Sequence, residues 1–134
     1  MKRLTLLLFI TLCLPKAWAA SAVLTTNAST CPTATNSTAL VVKLPQDQGG
    51  ATLTIAGTFT GTISFYGQGD GNSWTAMNVM PVAATTAVSS ATAVGMWQRN
   101  ISGFTGVCML ASAAMTGSAT VTITPSGAAA PATY

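Results

Sequence analysis

The chain is 134 residues long, enough for one domain, and carries only seven charged side chains: five Lys or Arg, two Asp, and neither Glu nor His. Three of the five cations, Lys2, Arg3 and Lys16, lie close to the N-terminus, so the rest of the chain has no net charge. This excludes the clustered basic surface that nucleic acid requires, and leaves too few ionisable groups for most acid–base catalysis; we therefore expect neither an enzyme nor a bound cofactor.

Residues 1–20 have the three parts of a secretory signal peptide. Two basic residues follow Met1, an apolar run too short to span a bilayer comes next, and the small-residue pattern AWA at 17–19 precedes the expected cleavage point. A retained membrane-anchoring N-terminus is the alternative, but both flanks of the apolar run fit cleavage. The sequence therefore predicts an exported protein, in the periplasm, outside the cell or on a virion, with no membrane span after cleavage.

Removal of the leader leaves two cysteines, Cys31 and Cys108. An even number of cysteines in an oxidising compartment permits one disulfide, which would close a long loop and stabilise the fold by about 4 kcal/mol in the chain-entropy model. The alternative is two separate thiols, with Cys108 buried in a strand as a small apolar residue. Two Cys without His do not make a zinc site.

Thr, Ser, Ala, Gly and Val dominate the exported part, which favours strands and turns over helices. Residues 21–37 are small and polar, and we interpret them as an extended N-terminal arm. Seven strands are predicted after it, with a long connection over 81–90: they span 38–44, 51–56, 62–66, 73–79, 91–101, 105–113 and 118–124. Residues 38–126 are thus predicted to form an all-β, antiparallel β-sandwich, jelly-roll or immunoglobulin-like, followed by a flexible tail over 127–134.

Three segments carry a resemblance to a known family. The segment IAGTFTGTISFYGQGDGNSWTA at 55–76 resembles a "G-T-x-x-G-T-x-x-F" strand pair that runs into an "S-x-D-G-x-x-W" hairpin. GMWQRNISGFTGV at 95–107 and TGSATVTI at 116–123 resemble a later strand pair and the closing strand of the same module. That module is a β-sandwich of tailed-phage and prophage structural proteins, associated with the tail or virion, and the resemblance covers residues 38–126.

The resemblance implies a structural or host-surface-binding module without catalysis. The predicted leader distinguishes this chain from tail proteins that assemble in the cytoplasm. An exported relative acting at the cell surface, or a particle protein inserted through the inner membrane, fits both the resemblance and the leader.

With few charges available, aromatic side chains are the natural candidates for ligand binding, because they stack on sugar rings. Tyr66 is opposite in phase to Phe65, so it points outward if Phe65 lies in the core. Trp97 and Arg99 follow on a later strand, and we expect Tyr66, Trp97 and Arg99 to bind a cell-surface glycan. A core position is the alternative for Trp97, and it is the expected one for Trp74, directly after a hairpin.

Asp70 stands in a Gly-Asp-Gly-Asn sequence that could be read as a calcium loop. Calcium takes six to eight oxygen ligands, usually from several carboxylates, whereas Asp70 has only Asn72 and Ser73 close by in sequence. Asp-Gly is also a strong signal for a tight turn, so we expect a turn and no metal site.

Rows of threonine are predicted on the outer faces of the sheets, where they act as soluble strand formers or contact a regular partner surface. They are Thr52, Thr54, Thr58, Thr60 and Thr62, then Thr120, Thr122 and Thr124. A neutral chain lacks charge repulsion against itself, which favours a homo-oligomer. Two hypotheses remain: a phage-like attachment module that binds glycan or assembles with itself, and a pilus-like or surface-layer subunit that only polymerises.

Overall fold

The computed structural model of the protein describes residues 19–44, 48–69 and 73–127. The predicted leader up to residue 18, the Asp70-Gly71 turn and the predicted tail from residue 128 lie outside the described residues. Within the described ranges, no helix has the length and apolar character needed to cross a membrane.

The described residues form ten antiparallel strands, which confirms the all-β prediction. In chain order they are β1 (Ala20–Leu24), β2 (Ala39–Lys43), β3 (Gly50–Thr60), β4 (Ile63–Gln68), β5 (Trp74–Ala76), β6 (Met80–Pro81), β7 (Ser90–Ala91), β8 (Gly95–Asn100), β9 (Gly106–Ala111) and β10 (Thr116–Ser126). Sheet A has the order β1-β10-β3-β8-β6. Sheet B has the order β2-β9-β4-β5, and β7 also pairs with β4.

The core lies between the two sheets and follows the two-residue period of the strands. In β10, Ala119, Val121 and Ile123 are buried, and the threonines between them face outward. The two sheets meet at Phe65 of β4 and Trp97 of β8, whose ring centroids are 5.5 Å apart. Alternating apolar residues thus give each sheet one buried face, and the two faces pack as a sandwich.

The structure contains three strands that the sequence analysis did not predict: β1, β6 and β7. β1 falls in the region interpreted as an arm, yet it pairs along its whole length with β10 and buries Leu24. The apolar alternation of β1 is weak because alanine occupies two of its three inward positions. β6 and β7 are two residues long and lie at the start and at the end of the predicted 81–90 connection, where they pair with β8 and β4.

Two glycines in the long β3–β10 pair adopt left-handed backbone angles, Gly57 with φ 105° and Gly117 with φ 78°. A Cβ atom on Gly57 would lie 2.6 Å from the carbonyl oxygen of Ser118, and one on Gly117 would collide with that of Thr58. We expect Gly117→Ala to lower the free energy of unfolding by about 2 kcal/mol, because left-handed strain and a backbone clash act together.

Gly103→Ala is the matched control for this substitution. Gly103 also has a positive φ, 83°, but no atom lies within 4 Å of the position its Cβ would take. Only the left-handed strain applies there, so we expect a loss of about 1 kcal/mol. Urea denaturation measures both variants, and equal losses would contradict the clash at Gly117.

Candidate functional site

Trp97 belongs to the core, which corrects its prediction as a ligand-binding residue. It pairs in register with Leu53, points toward sheet B and is only 7% exposed. Its ring packs against the fully buried Phe65. The large apolar surface of Trp97 is therefore used to fill the space between the sheets and is not available to a ligand.

Tyr66 and Arg99 are both accessible, but they lie in different parts of the molecule. Tyr66 is half-buried on the outward side of sheet B, opposite in phase to Phe65 as predicted. Arg99 lies on β8 in sheet A, is exposed, and places its guanidinium 6.0 Å from the centre of the Phe104 ring. The three predicted ligand residues therefore do not form one site.

The predicted disulfide is present. Cys31 is bonded to Cys108, with 77 residues of sequence separation and a Cα–Cα distance of 6.4 Å. Cys108 is fully buried on the outward side of β9 and packs with Leu110 and Ala39. The bond holds the segment 25–38 against the outward side of sheet B, where Ala28 also packs on this small apolar cluster.

The same segment covers the free edge of β2. The Thr35 hydroxyl accepts a hydrogen bond from the Val41 amide at 2.9 Å and donates one to the Val41 carbonyl at 3.1 Å. The Asn36 side-chain oxygen accepts from the amides of Thr38 and Ala39 at 2.8 and 3.1 Å. Two side chains thus take the place of a neighbouring strand, which protects this edge from pairing with another chain.

One row of residues crosses sheet B on its outward side: Lys43, Gly106, Gln68 and Trp74, each paired in register with the next. Since Gly106 has no side chain, the tip of the Trp74 ring lies 3.0 Å from where its Cβ would be. Lys43 reaches across the same gap and its Nζ donates to Gln68 Oε1 at 2.8 Å. That ammonium also lies 5.5 Å from the centre of the Trp74 ring, within cation–π distance.

We call Lys43, Tyr66, Gln68 and Trp74 the Trp74 face. Tyr66 lies diagonally from Trp74 on the neighbouring strand, and both rings are half-buried. Gln68 is 5% exposed, so its amide is fixed in place, whereas Lys43 is exposed. The face combines two aromatic surfaces with nitrogen donors on a rigid sheet, a combination that can stack on a sugar ring and hydrogen-bond its hydroxyls.

Of these four residues, the sequence pattern singles out only Tyr66 as a ligand residue, and it predicts Trp74 in the core. The detectable signal was strand phase: in the β4–β5 hairpin, Trp74 pairs with Gln68 and therefore shares the side of Tyr66. Finding it required the register of the hairpin, which the glycine-rich turn leaves open. The approach of Lys43 to this pair depends on β9 lying between β2 and β4, which no local pattern indicates.

A concavity with a volume of about 420 Å³ lies around Gly50, where β3 pairs with β8 in sheet A. The side chains around it carry mainly hydroxyl, amide and guanidinium groups. The lining residues are Gly49, Gly50, Ala51, Thr52, Gln98, Arg99, Asn100 and Ser126. None is aromatic, so this concavity can hydrogen-bond a ligand but offers no ring on which a sugar could stack.

Comparison with known proteins supports the fold. No protein-family model and no curated protein matches the sequence. Among solved structures, the chain is similar to the SPBc2 prophage-derived protein YomS, with a TM-score of 0.59 and 19% sequence identity over 81% of this chain and 93% of that chain. At this identity the likeness establishes a shared fold, and it links that fold to a protein of prophage origin.

Proposed function

We propose that the chain is an exported, non-enzymatic attachment module of phage-related origin that binds a cell-surface glycan through the Trp74 face. The observation that carries this proposal is the placement of Trp74 and Tyr66 on one side of sheet B, beside Lys43 and Gln68. The fold shared with a prophage-derived protein supports the origin. The disulfide and the predicted leader support export.

The arrangement of the Trp74 face favours a ligand with both apolar and hydroxyl surfaces. Trp74 is supported from below by Gly106 and the β9 backbone, so its ring has a fixed orientation before a ligand arrives. Preorganised aromatic residues lose little entropy on binding, which makes them effective contacts. Lys43 has three N–H donors and uses one on Gln68, so two remain for sugar hydroxyl or carboxylate oxygens.

We expect Trp74→Ala to weaken glycan binding by at least about tenfold, because a central aromatic contact typically contributes more than 1.4 kcal/mol to binding. The test uses protein recovered from the periplasm of an expression host, screened on an array of bacterial surface polysaccharides. The best ligand is then titrated by calorimetry against native and variant proteins.

Phe59→Ala is the control, since Phe59 is another half-buried aromatic residue and lies on β3 of sheet A, away from the Trp74 face on sheet B. Thermal unfolding of each variant shows whether the sandwich persists. A native protein that binds no polysaccharide, or a Trp74→Ala protein that binds as tightly as the native one, would overturn the proposal.

The alternative is a pilus-like or surface-layer subunit that only polymerises. Growth by strand addition at β2 is disfavoured, because Thr35 and Asn36 already occupy that edge. Among the other edge strands, β5 and β6 are only three and two residues long, so the five-residue β1 offers the longest edge for such growth. Fibres that form in the absence of any glycan, with no binding on the array, would favour this alternative.

A further inference from the structure

The strongly exposed large apolar side chains of the described residues gather at sheet A. Val23, Met80 and Met96 occupy outward positions of β1, β6 and β8 and are 54%, 42% and 48% exposed. Val82 follows β6 and its amide donates to the Met96 carbonyl at 3.0 Å, and Val94 directly precedes β8. Exposed apolar residues are usually scattered over a surface, so their collection at one sheet indicates an interaction surface.

Uncharged residues fill the space between these apolar groups. In the register, Met96 pairs with Thr54, which pairs with Thr122, and this row ends at Ser21. We call the outward positions of the sheet the Thr–Met face: Ser21, Val23, Thr52, Thr54, Met80, Met96, Gln98, Thr120, Thr122 and Thr124. The five strands of sheet A contain one charged residue, Arg99, which pairs with Ala51 and so belongs to the opposite side.

We propose that the Thr–Met face binds the same face of a second copy of the chain. In a two-fold dimer a surface meets itself, so a charge near the axis would lie close to the identical charge of the other copy. A face without charges avoids this repulsion. It also offers no charged group with which a partner of opposite charge could form an ion pair. The proposal does not depend on glycan binding, which uses the other sheet.

The two apolar edges of the face are complementary under this symmetry. Val23 lies at the β1 edge, and Met80, Val82, Val94 and Met96 lie at the opposite β6–β8 edge. A two-fold axis parallel to the strands places the β1 edge of each copy over the β6–β8 edge of the other. In this arrangement the apolar groups of the two copies cover each other at both edges of the interface, and the threonine rows pack between these edges.

The size of the face is that of a weak, reversible dimer. Five strands about 4.8 Å apart and about seven residues long give a face of roughly 20 Å by 20 Å. Two such faces together bury roughly 800 Å² if they are treated as flat, and somewhat more because side chains make them uneven. An area of this size is typical of transient interfaces. We therefore expect association in the micromolar range or weaker.

The proposal is tested by sedimentation equilibrium of protein purified from the periplasm of the expression host, at concentrations from about 10 µM to about 1 mM. We expect the native protein to approach the mass of two chains at the upper end, and Thr54→Lys at the centre of the face to weaken association at least roughly tenfold through like-charge repulsion. Met96→Gln, which keeps the face neutral but removes apolar contact, should weaken it by a smaller factor.

Thr33→Lys is the matched control, because it adds the same charge at an exposed threonine in the segment on the sheet B side. Circular dichroism and thermal unfolding establish that each variant is folded. A native protein that stays at the mass of one chain throughout, a folded Thr54→Lys that associates normally, or a Thr33→Lys that dissociates equally would overturn the proposal. Loss of glycan binding in Trp74→Ala leaves this experiment unaffected.

Discussion

Replacing Trp97 by alanine is expected to lower the free energy of unfolding by about 4 kcal/mol, because it removes a buried aromatic side chain and leaves a cavity between the sheets. Trp97 contacts Phe65 across the sandwich and is surrounded by other core residues from both sheets. Such a loss is a large fraction of the stability of a domain this size. Guanidinium denaturation followed by fluorescence or circular dichroism measures it.

Trp74→Ala is the contrasting variant, since Trp74 is half-buried and lies on the outward side of sheet B. It should lose less stability than Trp97→Ala but more glycan affinity. Trp97→Phe keeps a ring against Phe65 and should lose less than half as much as the alanine variant. If Trp97→Ala were no less stable than Trp74→Ala, the assignment of Trp97 to the core would be wrong.

Removing the disulfide by the double change Cys31→Ala and Cys108→Ala is expected to cost about 4 kcal/mol. The bond closes a loop with 77 residues of separation, and most of its effect comes from restricting the unfolded chain. Urea denaturation of the oxidised native protein and the variant gives the difference.

Reduction provides the control for the disulfide experiment. Native protein treated with dithiothreitol should fall to the stability of the variant, and the variant should not respond to the reagent. Hydrogen exchange adds a local readout, because the Val41 amide is bonded to Thr35 in the segment that the disulfide holds. A loss of stability below 1 kcal/mol, or unchanged exchange at Val41, would contradict this role of the bond.

The candidate site shows which side-chain positions can be predicted from the alternation of residues along a strand and which cannot. Phase correctly separated Tyr66 from Phe65, because neighbouring residues of one strand always face opposite sides. It could not decide between Trp74 and Trp97, since each lies on a strand whose inward side depends on the sheet packed against it. The structure reversed that expectation: Trp97 fills the core and Trp74 lies outside.

The class of the fold and the alternation of its strands can be predicted from the order of the amino acids alone. The regular change between apolar residues and threonine in β10 indicated a sheet with one buried side, and the two cysteines beyond the predicted leader permitted one disulfide. These properties follow from composition and from the two-residue period of a strand, which are local.

Which strands are neighbours, in contrast, depends on how the whole chain packs. β1 pairs with β10 from the opposite end of the chain, and β9 brings Gly106 between Lys43 and Gln68. Pairings over such distances are selected by the burial of both sheets together and not by any single segment, so they leave no local signal. The Trp74 face and the Thr–Met face both depend on these pairings, and for that reason they emerge only once the sheets are assembled.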